Sequence, residues 1–145
     1  MRIAVISDTH DRCPPKLPPR LRGADELWHL GDVCEPETLG ELEHLGPPLR
    51  VVRGNCDTHE AWPVALDLEL EGARFHLTHI PPAQAPAGAN AVLHGHTHVA
   101  RDETDAAGVR WLNPGAISRP RDGAASFAWL TVEGGRLVSW KLVLL

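Results

Sequence analysis

The chain lacks the features that would send it to a membrane, an oxidising compartment or a polyanion. No apolar run in its 145 residues approaches the roughly 20 needed to span a bilayer. The opening Met1-Arg2-Ile3-Ala4-Val5-Ile6 is too short for a secretory signal and has no small-residue cleavage pattern. No membrane partner is therefore expected, and the default address is cytoplasmic. Lys and Arg number 14 against 19 Asp and Glu, a formal net charge of -5, and no cluster of five basic residues occurs. Such a surface repels a polyanion, so long nucleic acid is not an expected partner and any phosphate affinity must come from a local site. The three cysteines, Cys13, Cys34 and Cys56, are odd in number and show no C-x-x-C spacing, which argues against a disulfide framework. All three follow or sit within the motifs described below. They read either as a redox-sensitive trio at the mouth of a site or as three unrelated small apolar residues, and the second reading is favoured.

With no internal repeat and no linker, the length suits one domain, residues 1–145, built on one substantial core. Apolar runs predict strands over residues 2–7, 26–30 and 49–52, each ending at a motif. Prolines 14, 15, 18 and 19 leave room for at most a brief helix within 13–22. Pro36, then Leu39, Leu42 and Leu45, with Gly46-Pro47-Pro48 as a stop, predict a helix of about three turns. Three strand-then-loop units imply a parallel sheet whose carboxyl edge gathers the motifs. Residues 64–70 and 74–78 alternate around Glu71-Gly72 as a hairpin, and 80–90 reads as a loop. Strands follow over 91–93 and about 99–104, 109–112, 126–133 and 136–144, so the second half is expected to be mostly antiparallel.

What is present is an ordered constellation: Asp8-Thr9-His10, Gly31-Asp32, Gly54-Asn55-Cys56-Asp57, a lone His79, and Gly95-His96-Thr97-His98. It offers seven oxygen or nitrogen ligands, Asp8, His10, Asp32, Asn55, His79, His96 and His98. Two carboxylates, one amide oxygen and four imidazoles suit Mn, Fe, Zn, Ni or Co rather than Ca. In extended backbone, D-x-H and H-x-H would each put their outer residues on one face. Two divalent ions against two carboxylates leave the pocket net positive, so phosphate oxygens are its natural guests. Ions about 3.5–4 Å apart would activate a bridging water for hydrolysis.

Through Ser7-Asp8-Thr9-His10, His29-Leu30-Gly31-Asp32, Arg53-Gly54-Asn55-Cys56-Asp57, Thr78-His79, Leu93-His94-Gly95-His96-Thr97-His98 and Asn113-Pro114-Gly115-Ala116, the chain resembles the calcineurin-like metallophosphoesterase superfamily, in its small YfcE-like branch. The resemblance runs from Ile3 to Ser118. It implies an α/β fold, a β-sandwich of two mixed sheets flanked by helices (αββα). It also implies two divalent ions, manganese first, with iron, nickel, zinc or cobalt as alternatives. Asp8, His10, Asp32 and His98 would hold one ion, Asp32 would bridge, and Asn55, His79 and His96 would complete the second. Asp32, Asn55 and His96 would then be the bridging and activating residues in hydrolysis of a phosphodiester or small phosphomonoester.

Three departures stand out. Cys56 occupies the place where many members carry an acid histidine, which predicts better turnover of aryl than of alkyl esters. Only 14 residues separate His79 from His94, so the family's intervening helix is reduced to a loop and the site is more open, with closure by a second copy in a homo-oligomer as one consequence. Ala116 removes a hydroxyl common in relatives. His29 is expected simply to pack, His94 to pack or to support a ligand, His44 and His76 to lie at the surface, and His59 to be an outside candidate for the missing acid. The competing function is a catalytically silent metal-binding or protein-interaction scaffold of the same fold, as in the retromer subunit related to these enzymes. Here no ligand position has drifted, which favours the enzyme.

Overall fold

The computed structural model describes all residues 1–145 and resolves them into two five-stranded mixed sheets packed face to face. The first sheet contains β1 (Arg2–Ile6), β2 (Glu26–His29), β3 (Leu49–Val51), β9 (Ser126–Glu133) and β10 (Arg136–Leu144), in the order β10-β9-β1-β2-β3. The second contains β4 (Ala65–Leu70), β5 (Ala73–Thr78), β6 (Ala91–Leu93), β7 (Arg101–Thr104) and β8 (Arg110–Asn113), in the order β4-β5-β6-β8-β7. Helix is scarce: one turn at α1 (Leu17–Arg20), and a 3-10 turn at Pro36–Leu39 running into α2 (Gly40–Glu43).

Period-two alternation along β1 sets the layers. Ile3 and Val5 point between the sheets, where they meet Trp28, Phe75, Leu77, Leu93, Leu112 and Leu130. Ala4 and Ile6 point outward against Leu17, Leu21, Leu39 and Leu42 of the helical segments, together with Phe127. Helices therefore cover only the first sheet. The outer face of the second carries none, and its β4–β5 hairpin turns Asp67, Glu69 and Arg74 outward instead. No helix is long and apolar enough to cross a membrane.

The second half is mostly antiparallel, as expected, through β4–β5, β7–β8, β9–β10 and β1–β9. Within it, β5, β6 and β8 pair in parallel at the centre of the second sheet. The final hairpin belongs to the first sheet. β9 pairs antiparallel with β1, at Ala4↔Trp129, and closes the edge that β1 would otherwise leave open. The expected three-turn helix is shorter and begins as a 3-10 turn, with Gly40 at the junction withholding helix propensity. The result is six parallel strands, β1-β2-β3 and β5-β6-β8, whose carboxyl ends share one rim.

Candidate metal centre

Every motif lies on that rim, and backbone hydrogen bonds tie the motif loops together. Asp8 N–H donates to Gly31 O (3.0 Å), His10 N–H to Asp32 O (2.9 Å) and Gly95 N–H to His79 O (3.0 Å). The segments are not extended there. Asp8, His10, Asp32, His96 and His98 all have positive φ, between 45° and 70°. For non-glycine residues this left-handed backbone costs on the order of 1 kcal/mol or more each, and it clusters where function demands it. Left-handed turns, not strand alternation, aim these side chains. That is why His96 and His98, two apart, serve opposite halves of the cluster: the ring of His98 lies 5.3 Å from that of His10, and the ring of His96 lies 5.2 Å from that of His79.

The carboxylates sit between those imidazole pairs. Asp8 Oδ1 is 3.2 Å from His98 Nε2 and 3.8 Å from both His10 Nε2 and His79 Nε2. Asp32 Oδ2 is 3.2 Å from His79 Nε2 and 3.6 Å from His10 Nε2. Their other oxygens are already committed. Asp8 Oδ2 accepts from Ser7 Oγ (2.7 Å) and His96 N (3.3 Å), while Asp32 Oδ1 accepts from Cys56 N (3.0 Å).

The imidazoles are oriented from behind. His79 Nδ1–H donates to Leu30 O (2.8 Å) and His98 Nδ1–H to Arg119 O (2.9 Å), which leaves each Nε2 lone pair facing the carboxylates. His96 Nδ1 and Asn55 Oδ1, both exposed, pair at 3.1 Å. His10 differs from the rest, because its Nδ1 faces sulfur, 3.7 Å from Cys56 Sγ and 3.9 Å from Cys34 Sγ.

Four buried side-chain polar atoms in the whole chain lack a hydrogen-bond partner, and three of them, Asp8 Oδ1, His10 Nε2 and His79 Nε2, point into this one cluster. Orphaned groups cost about 1–3 kcal/mol each unless something binds them, and a divalent cation suits a mixed carboxylate–imidazole set. Asp8, His10 and His98 form one triad of compatible ligand atoms, and Asp8, Asp32 and His79 another. Burial alone would raise the Asp32 carboxyl, but the adjacent His79 imidazole and the Cys56 N–H outweigh it and hold it below the usual range. Burial likewise opposes charge on His79, yet Asp32 and Asp8 beside it raise its proton affinity overall.

Several supporting residues escaped the sequence reading. Asp57 accepts three backbone N–H groups, from Asp32 (2.8 Å), Gly54 (2.7 Å) and Cys34 (2.7 Å), and so pins the second motif to the third. Asn113 donates to Gly95 O (3.2 Å) and Thr97 Oγ1 (3.1 Å), bracing the His96 turn. Both lie inside quoted motifs, where an Asx residue beside glycine is the available signal. His29 does more than pack: Gly31 N–H donates to its Nδ1 (3.1 Å), so its Nε2–H faces Thr9 Oγ1 at 3.0 Å and links the first two motifs. His94 supports the last motif, with Nδ1–H donating to Gly95 O (3.0 Å) and Nε2 accepting from Arg101 (3.1 Å). His59 instead stacks edge-on to Trp62 at 4.8 Å. His76 is half-buried and pairs with Asp67 at 2.7 Å.

Two measurable consequences follow from these contacts. Burial pushes His29 down from 6.5 to about 4. Its folded value lies below its unfolded one, so the stability it contributes is complete above pH 6.5 and is lost as pH falls toward 4. The loss is on the order of 3 kcal/mol across that window. Urea titrations of metal-free protein at successive pH values should show that slope, and His29→Gln should flatten it. Glycine is required where loops touch: a Cβ on Gly54 would collide with both Asp32 Oδ1 and Asp32 N, and one on Gly95 would strike Ser7 Oγ. Gly54→Ala should therefore cost about 1–3 kcal/mol by thermal melting, because it displaces Asp32.

A two-sheet sandwich with parallel strand ends converging on carboxylates and imidazoles is the architecture of metallophosphoesterases. The chain belongs to the calcineurin-like phosphoesterase superfamily, whose domain model matches residues 1–135. A probable metallophosphoesterase of Methanothermobacter thermautotrophicus is 33% identical, covering 94% of this chain and 89% of its own. Among solved structures, the phosphoesterase YfcE of E. coli superposes with a TM-score of 0.76 at 25% identity, over 97% of this chain and 98% of its own. Vps29 of Entamoeba histolytica, in complex with Zn2+, gives 0.80 at 22% identity over 100% and 98%, a likeness of fold.

Proposed function

We propose that this chain is a metal-dependent phosphoesterase acting on phosphodiesters or small phosphomonoesters, with two divalent ions, manganese first, in the rim cluster. The observation that carries this reading is that Asp8 Oδ1, His10 Nε2 and His79 Nε2, buried and unpartnered, all point into one cluster, each imidazole nitrogen 3.8 Å from Asp8 Oδ1. Asp8, His10, Asp32 and His98 would hold one ion, and Asp32, Asn55, His79 and His96 the other, consistent with the two imidazole pairs flanking Asp32. Bound there, the ions would polarise phosphoryl oxygens and lower the pKa of a shared water.

The chain's own residues supply position. Asp8 and Asp32 set the charge of the cluster, and His79 and His98 are held in register by their carbonyl partners. Exposed Asn55 and His96 mark the side open to substrate. Cys56 is a poor candidate for the proton donor to the leaving group. Its sulfur lies on the Nδ1 side of His10, away from the edge that faces the carboxylates, and burial with the neighbouring Cys34 and Asp32 pushes its thiol up. Without a positioned acid, leaving groups that need no proton are favoured, so with Mn2+ an aryl phosphodiester should turn over on the order of a hundredfold or more faster than an alkyl one. A colorimetric assay on bis(p-nitrophenyl) phosphate tests the reading, with loss of hydrolysis in Asn55→Ala expected. Metal binding without turnover of any ester would favour the silent scaffold instead.

A further inference from the structure

Behind His10, on the edge of the ring turned away from the carboxylates, two loops bring their thiols together. Cys34, two residues beyond Asp32, and Cys56, next to Asn55, place their Sγ atoms 2.7 Å apart, while Cys13 packs separately against the helical side of the first sheet. Carbon atoms without a bond between them rest at about 3.5–4.0 Å, and sulfur is larger, so this approach is close. Cys34 is itself held in left-handed backbone at φ 74°, and its N–H is fixed by Asp57 Oδ1, so its loop is clamped in the orientation that meets Cys56. Both side chains are partly open to solvent.

We propose that Cys34 and Cys56 form an oxidisable dithiol that closes to a disulfide with peroxide as oxidant, and that closure loosens His10 as a metal ligand. One sulfur, deprotonated, attacks the peroxide. The O–O bond breaks, hydroxide leaves and takes up a proton, and a sulfenic acid forms. The second sulfur then displaces the sulfenic oxygen, the S–S bond forms, and a second water departs with the remaining thiol proton. Both sulfurs are oxidised and both peroxide oxygens reduced, with two waters released per bond.

The consequence runs through Nδ1. Where His79 and His98 rest on backbone carbonyls, His10 has only these two sulfurs to accept its Nδ1–H. Drawing the sulfurs to the bonded distance of about 2.05 Å removes their thiol character and shifts the loops carrying Cys34 and Cys56, whose N–H groups hold Asp57 and Asp32. Outer partners of a ligating histidine typically govern metal affinity by about 10–100-fold.

The bond itself is independent of the proposed catalytic reading, and only its consequence rests on that reading. Reduced, EDTA-treated wild-type protein is exposed to hydrogen peroxide, desalted, alkylated and mapped by mass spectrometry. The expected result is a Cys34–Cys56 crosslink reversed by dithiothreitol, with Cys13 still alkylated, and the same crosslink in Cys13→Ser. Calorimetric titration with Mn2+ should then give an affinity about tenfold weaker for the oxidised than for the reduced protein. Full alkylation of Cys34 and Cys56 after peroxide, or a crosslink through Cys13, overturns the dithiol. Equal Mn2+ affinity in the two forms overturns the link to His10, whether or not any ester is hydrolysed.

Discussion

Asp32→Asn should lower hydrolysis of bis(p-nitrophenyl) phosphate in the presence of Mn2+ by about a thousandfold or more, equivalent to roughly 4 kcal/mol of barrier. The substitution is nearly isosteric, and the introduced amide oxygen can still accept the Cys56 N–H that Asp32 Oδ1 accepts at 3.0 Å. What it removes is one of the two carboxylate charges in the cluster, at the oxygen lying 3.2 Å from His79 and 3.6 Å from His10. That oxygen sits between the two imidazole pairs, so both proposed ion positions lose a ligand at once. Circular dichroism should be unchanged. A loss of less than about tenfold, with the fold intact, would mean that Asp32 does not hold the centre together.

Asp57→Ala should be the most destabilising single substitution on the rim. It strands the N–H groups of Asp32, Gly54 and Cys34, which Asp57 satisfies at 2.7–2.8 Å. Each unsatisfied buried donor costs about 1–3 kcal/mol, and partial access of water brings the sum to about 3–5 kcal/mol. For a domain of this size that lowers Tm by roughly 10 °C or more. Asp57→Asn retains one acceptor oxygen and should fall between the two. A Tm within about 2 °C of wild type for Asp57→Ala would show that the loops are held by something other than this carboxylate.

The fold was legible in the sequence wherever the signal was local. Apolar runs such as Ile3-Ala4-Val5-Ile6, and punctuation such as Gly134-Gly135, place all ten strands within about two residues. What local pattern could not carry was pairing between distant segments. Nothing near Trp129 says that it faces Ala4 rather than a neighbour from the second sheet, and the parallel β5-β6 pair is joined by a loop without the helix that usually signals a crossover.

The site divides the same way. Residue types at motif spacing pointed to the seven candidate ligands, and the structure gathers them on one rim. Their aim was misjudged, because it depends on left-handed backbone at Asp8, His10, Asp32, His96 and His98, a conformation uncommon for any non-glycine residue even though Asp and His adopt it more readily than most. The bracing roles of Asp57, Asn113 and His29 likewise depend on which N–H groups the fold leaves without partners, and a sequence does not display that.

The most direct test of the centre is a crystal grown with Mn2+, with anomalous scattering measured at the manganese edge. Two peaks about 3.5–4 Å apart are expected, flanking Asp32, with His10 and His98 on one and His79 and His96 on the other. No anomalous peak among these residues at saturating manganese, or a single peak away from Asp8 and Asp32, would contradict the proposed centre.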